Sequence, residues 1–157
     1  MRFLLIDRIM EWKPGKRASA VKNVALSEDF FDDHFPLKPI MPAVLIIEGM
    51  AQLSGLLLEE GVRQETGQNI KALMSIVEKT KFRRPVYPGD KLVYHAEVTS
   101  INEVGGRTNI KAYVNGELIT ECSLVFTFHE FDNERLEARR SEILSLWLNG
   151  VVSHEIK

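Results

Sequence analysis

The stretch His34-Phe35-Pro36-Leu37-Lys38-Pro39-Ile40-Met41-Pro42-Ala43-Val44-Leu45-Ile46-Ile47-Glu48 decides the reading of this chain. Pro36, Pro39 and Pro42 recur every third residue, so the segment has few conformations and no helix can run through it. It is expected to stay extended. A helix can begin at its end, because Pro42 suits the first helical position, where its missing N–H costs nothing. From there Ala43 to Ile47 and Gly49 to Leu58 are apolar almost all round a helix, which implies burial.

Glu48 is the anomaly in that helix. A carboxylate among Ile46, Ile47, Met50 and Ala51 is expected to be buried, which disfavours its charged form. Gln52 lies four residues on, and Gly55 and Glu59 continue the same stripe. A buried, protonated carboxyl is what a general acid requires. A glutamate held by hydrogen bonds for purely structural reasons fits the spacing as well. A lone loop histidine such as His34 is more often a surface or packing residue. A histidine and a buried carboxyl flanking one prolyl loop together suggest an acid–base pair.

The 157 residues fit one domain with a sizeable core. Hydrophobic residues make up 45% and charged residues 27%, which indicates a soluble globular chain and not a disordered one. A net charge of −2 gives no bulk electrostatic case for nucleic acid. The single cysteine, Cys122, rules out an intrachain disulfide and fits a reducing cytoplasm. No apolar run is long enough to span a membrane, and Asp7, Arg8 and Glu11 break any signal-peptide core.

Taken in order, Phe3 to Trp12 reads as a strand, Lys13-Pro14-Gly15-Lys16 as a turn, and Ala18 to Leu26 as a second strand. The long helix is expected from about Pro42 to Glu60, with Gly61 as its candidate end. Strands follow over Ile70–Phe82, Lys91–Asn102, Thr108–Val114 and Glu117–Phe128. Pro88-Gly89-Asp90 is expected to turn, Gly105-Gly106 to reverse the chain, and Asn115-Gly116 to form a two-residue hairpin. One long helix among antiparallel strands indicates an α+β domain over residues 1–128. The tail, residues 129–157, changes character. Leu136, Arg140, Ile143, Leu144, Trp147 and Val151 recur at helical spacing, so residues 132–148 are expected to be helical. Asp132 is the candidate N-cap and Asn149-Gly150 the stop. Such a helix could dock on the domain, dock on a neighbouring subunit, or serve as a lid.

The run from His34 to Gln52 resembles the beta-hydroxyacyl-acyl-carrier-protein dehydratases, the dehydratase-only branch of the hot-dog superfamily. The family pattern His-Phe-Pro-Gly-x-Pro-Ile-Met-Pro-Gly-Val-Leu, then Glu-Ala-x-Ala-Gln, is met by His34 to Leu45 and by Glu48-Gly49-Met50-Ala51-Gln52. Leu4 to Arg8, Lys81 to Asp90 and Asn115 to Leu118 match further blocks, so the resemblance spans roughly residues 3–128. It implies a hot-dog fold, an antiparallel sheet wrapped around the central helix. It also implies a homodimer with one continuous sheet, and by the family's habit a trimer of dimers. His34 and Glu48 are the implied catalytic residues, as base and acid in the reversible dehydration of a beta-hydroxyacyl thioester in fatty acid synthesis. Backbone N–H groups near Ala43 and Val44 would hold the thioester oxygen. Phe35, Pro42 and Gln52 complete the implied substrate site, with no metal or other cofactor. The partner is an acyl carrier protein, whose acidic surface could meet Lys79, Lys81, Arg83 and Arg84. In the family the histidine of one subunit faces the acid of the other, so shared sites are expected.

Three departures stand out. Leu37 and Ala43 replace family glycines, and Gly49 replaces an alanine. If position 37 needs a positive φ, Leu37 must bend the loop differently. Related readings are weaker. Dehydratase–isomerases carry aspartate at the position of Glu48 and tryptophan at that of Ala51. Enoyl-thioester hydratases carry an Asn-Pro pair that is missing between Asp29 and His34. Hot-dog thioesterases use an acidic residue on the same helix and stay open as an alternative, although His34 and the prolyl motif argue against them. A non-catalytic acyl-binding subunit would have little reason to keep both His34 and Glu48. His95 and His154 have no evident partners.

Overall fold

The computed structural model describes residues 3–151. Six strands and two helices follow one another as β1 (Arg8–Lys13), β2 (Arg17–Asn23), α1 (Ala43–Thr66), β3 (Ile70–Phe82), β4 (Lys91–Ile101), β5 (Gly105–Val114), β6 (Glu117–Glu130) and α2 (Glu134–Trp147), with one 3-10 turn at Asp29–Phe31. The strands form a single sheet in the order β1-β2-β4-β5-β6-β3, and every pairing is antiparallel.

Alternation explains why the sheet has an inside. In β4, Leu92, Tyr94 and Ala96 are buried while His95 and Glu97 face out, and in β5 Thr108, Ile110 and Ala112 do the same against Asn109 and Lys111. The inward side chains meet α1, whose Met50, Leu53, Leu57 and Leu58 are fully buried. This helix packs on β2, β3, β4, β5 and β6. The sheet therefore wraps one helix, the hot-dog arrangement that the resemblance implies. Asn115 and Gly116, at φ 49° and 78°, make the expected tight hairpin between β5 and β6.

Several boundaries differ from expectation, each for a packing reason. Residues 3–6 are not a strand: Leu5 and Ile6 are buried, but the Leu5 N–H donates to the Gln52 side chain at 3.1 Å instead of to a neighbouring strand. β2 ends at Asn23, and Val24 instead exchanges backbone hydrogen bonds with the Gly89–Asp90 turn. Pro42 is the N-cap of α1 and not its first helical residue. The helix runs through Gly61 and stops at Gly67, which holds φ 74° and closes onto the Arg63 carbonyl. Gly61 serves close approach: a Cβ there would lie 2.5 Å from the Gly15 α-carbon. Gly105 and Gly106 belong to β5, and the reversal before them is built by Asn102, whose side-chain oxygen accepts from the Val104 and Gly105 N–H groups. The tail helix is capped by Asn133, not Asp132; its carbonyl oxygen accepts from the Arg135 and Leu136 N–H groups.

Candidate active site

Phe30 and Phe31, buried and 4.6 Å apart between ring centres, anchor the approach to His34. The prolyl loop that follows is not extended. It closes on itself: the His34 N–H donates to Phe30, the Ile40 N–H donates to the His34 carbonyl at 2.9 Å, and Phe35 and Lys38 exchange backbone hydrogen bonds. Backbone satisfaction inside the loop outweighs the extended preference of its prolines. The Met41 N–H, bonded to Val86 at 2.8 Å, fixes the exit. Leu37 is fully exposed and does not have a positive φ, so the family glycine's conformational freedom is not used at this position.

The imidazole is held within this loop. His34 Nδ1 lies 2.7 Å from the Ile40 carbonyl oxygen, and the Phe35 ring stacks on it at 4.2 Å. A carbonyl can only accept, so Nδ1 carries the hydrogen and the lone pair of the neutral ring is on Nε2.

Glu48 is half-buried in this chain, not sunk in the core as its neighbours suggested, because its face of α1 looks into a cleft. Gln52 holds it. The Gln52 amide nitrogen donates to Glu48 Oε1 at 3.1 Å and to the Phe3 carbonyl at 2.9 Å, while its oxygen accepts from Leu5. These contacts clip the N-terminal segment to α1. They leave Glu48 Oε2 without a partner among the described residues.

The cleft measures about 570 Å³. Glu48, Gln52, Leu56 and Glu59 of α1 form its floor, Ala72, Leu73 and Met74 of β3 one wall, and Leu136, Arg140, Ile143 and Trp147 of α2 the other. His34, Phe35, Pro42, Ala43 and Val44 do not line it. The structure thus brings Glu48 and Gln52 together and leaves His34 outside that cleft, in the loop before α1. Phe35, stacked on the imidazole, is 50% exposed, and Val44 in the first turn of α1 is 73% exposed. The first turn of α1 has no side-chain cap and no acidic residue, which leaves the N–H groups of Ala43 and Val44 free of side-chain acceptors among the described residues.

The basic residues divide into two pairs. Arg83 lies 2.8 Å from Glu121, and Arg84 bridges Glu117 and Asp90, so both have structural partners. Lys79 and Lys81 are exposed and form no ion pair among the described residues. His95 lies edge-on to Tyr113 on the outer sheet face, and His154 lies outside the described residues.

Sequence reasoning missed a cluster at the far end of the cleft. The buried carboxylate of α1 is Glu59, which accepts from the Ala72 N–H at 3.0 Å and from Arg140 Nε at 2.6 Å. Arg140 also approaches Glu60 at 2.8 Å, and Lys71 joins Glu137 at 2.8 Å. Burial alone would disfavour the Arg140 cation, but the Glu59 and Glu60 carboxylates outweigh it and its pKa is raised. The available signal was Glu59 on the Glu48–Gln52 stripe, together with one arginine in the otherwise apolar stripe of α2.

Comparison with known proteins shows the family and the fold. The FabA-like domain model matches residues 1–123. The 3-hydroxyacyl-[acyl-carrier-protein] dehydratase FabZ of Geotalea uraniireducens is 45% identical over 130 residues, covering 82% of this chain and 88% of that protein. The bifunctional enzyme LpxC/FabZ of Chlorobaculum tepidum is 44% identical over 131 residues, covering 83% of this chain and 28% of that longer protein. Among solved structures, an uncharacterized protein of Pyrococcus horikoshii shares the fold with a TM-score of 0.61 at 18% identity, covering 87% of this chain and 91% of that one. The chain therefore belongs to the FabA-like family and is of the FabZ type.

Proposed function

We propose that this chain is a beta-hydroxyacyl-acyl-carrier-protein dehydratase of fatty acid synthesis, with His34 as base and Glu48 as acid. The observation that carries the reading is the hydrogen bond from His34 Nδ1 to the Ile40 carbonyl, which leaves Nε2 as the proton acceptor. Nε2 takes the proton from the α-carbon, and the C–H electron pair passes into an enolate. The N–H groups of Ala43 and Val44, at the positive end of α1, stabilise the charge on the thioester oxygen. As the enolate collapses, the double bond forms between the α- and β-carbons and the β C–O bond breaks. Glu48 gives its proton to the departing hydroxyl, which leaves as water. Gln52 keeps the Glu48 carboxyl turned into the cleft. Phe35 and Pro42 flank the thioester.

A homodimer completes each site. β3 lies at the end of the sheet and pairs only with β6, so its outer edge is open among the described residues. Leu73, Met74, Ile76 and Val77 on that strand are 41–54% exposed. A long apolar edge strand left open is a template for pairing with a second copy. Such pairing would extend one sheet across two chains and bring His34 of one protomer toward Glu48 of its partner. The carrier protein would deliver the substrate past Lys79 and Lys81, which, unlike Arg83 and Arg84, have no ion-pair partner among the described residues. Residues 1–128 form the catalytic domain in this reading and residues 129–157 an extension. The lone, buried Cys122 fits a reducing cytoplasm.

The test mixes two inactive variants, His34→Ala and Glu48→Ala, unfolded together and refolded. With shared sites each heterodimer has one intact site, and turnover of a crotonyl thioester, followed by ultraviolet absorbance, returns. Activity that stays absent although heterodimers have formed refutes the shared site.

A further inference from the structure

The tail helix lies outside the family match, which ends at residue 123, yet it supplies one wall of the cleft that opens beside Glu48. Its course is fixed at its middle and just past its C-terminal end. Arg140 is tied to Glu59 and Glu60, and Gly150, just past the end of α2, packs beside the Arg8 guanidinium. Arg8 follows the segment that Gln52 holds on α1. α2 therefore runs back along α1, from Glu59 toward Gln52. Trp147 lies seven residues beyond Arg140, and Gln52 seven residues before Glu59, a matching advance of about 10 Å on each helix.

We propose that α2 is the outer wall of the acyl-chain site and that the Arg140–Glu59 pair sets the length of chain the site accepts; this rests on the dehydratase reading above. The near part of the cleft wall is apolar, with Ala51, Leu56, Met74, Ile143 and Trp147. The far end is charged: Glu59, Lys71 and Arg140 line it, and the Arg140 and Glu59 side chains are only 10% and 9% exposed. A methyl terminus pushing past that point would have to separate a largely buried ion pair, which is strongly unfavourable. Glu48 and Glu59 are eleven residues apart, about 16 Å along the helix. With C–C bonds of about 1.5 Å at tetrahedral angles, each methylene advances roughly 1.25 Å, so about a dozen carbons fit between the acid and the ion pair.

Two measurements on the full chain test this. The first compares kcat/KM for beta-hydroxyacyl-pantetheine thioesters from C4 to C16 in wild type, Ile143→Trp and the double variant Glu59→Gln with Arg140→Met, with Ser141→Ala on the exposed face of α2 as control. Removing one methylene contact changes binding about fourfold. Filling the wall should therefore lower the C12-to-C4 ratio by at least about tenfold in Ile143→Trp, and removing the ion pair should raise the C16-to-C12 ratio in the double variant. An unchanged C12-to-C4 ratio in Ile143→Trp overturns the wall assignment, and an unchanged C16-to-C12 ratio in the double variant overturns the ion-pair stop. The second does not need turnover. A dodecanoyl-pantetheine thioester brominated at carbons 6 and 7 is titrated against the fluorescence of Trp147. The other tryptophan, Trp12, is buried in the core and does not line the cleft. Saturable quenching that disappears in Trp147→Phe supports the wall, and absence of quenching overturns it. Quenching without turnover at any chain length would retain the wall and reject the dehydratase reading, so the two failures are distinguishable.

Discussion

Gly49 of α1 faces the phenol of Tyr94 in β4 so closely that a methyl group on its α-carbon would overlap the hydroxyl. It would lie 2.9 Å from Cζ of that ring and 3.1 Å from the Leu5 carbonyl oxygen. Tyr94 is fully buried, and its hydroxyl sits 3.5 Å from the same carbonyl. Burial, aided by the nearby Asp7 charge, raises its pKa well above the usual phenol value. Gly49, where relatives of this type carry alanine, is thus the complement of a tyrosine and not a loosening of the helix.

The substitution Gly49→Ala should destabilise the chain by about 1–3 kcal/mol despite alanine's better helix propensity, because overpacking dominates. In a Tyr94→Phe background a substantial part of that cost should disappear. Urea unfolding of the four proteins measures the coupling. Equal costs in both backgrounds would rule out the hydroxyl as the cause.

Replacing Arg140 with Met leaves the Glu59 carboxylate largely buried with only Lys71, 4.0 Å away, to balance it, and should cost about 3 kcal/mol. The pair Glu59→Gln with Arg140→Met removes the stranded charge and should recover most of that loss. Thermal unfolding reads the stability, and the Trp147 emission maximum reports whether α2 has left the domain.

The pH dependence of α2 docking follows from Glu137. The hydrogen bond from Lys71 holds its carboxyl below the usual carboxylate value, partly opposed by burial and helped by the charges of Lys71, Arg140 and Arg63. A folded-state pKa below the unfolded one gives stability that is present above the unfolded pKa and is lost as pH falls through the folded value. Docking should therefore weaken as pH drops below about 4. Trp147 emission should shift to the red over that range, and Glu137→Gln should flatten the shift.

In the proposed dimer, a charge on the open edge should separate the protomers. Ile76→Lys or Val77→Glu places a charge on β3 where a second sheet edge would pair. Sedimentation should show monomer, and activity should fall with it. A variant that sediments as an active dimer would exclude β3 as the pairing strand.

The sequence by itself determined the elements whose signal is local. The prolyl motif with His34 marked the family and the start of α1. The alternation of β4 and β5, the Asn115-Gly116 turn and the helical stripe of the tail each rest on residues a few positions apart, so period and turn chemistry reveal them. What only the tertiary structure decided involves groups distant in sequence. Gly61 looks like a helix stop until Gly15 is seen against it, and the helix goes on to Gly67. Glu48 looks buried by its neighbours along the chain, but burial is a property of what lies across the cleft, and there the carboxylate of Glu59 is the enclosed one. The tautomer of His34 depends on the carbonyl of Ile40, which the loop reaches by closing on itself. Arg140 finds Glu59 across 81 positions, a pairing that no periodicity carries because only folding brings the two charges together.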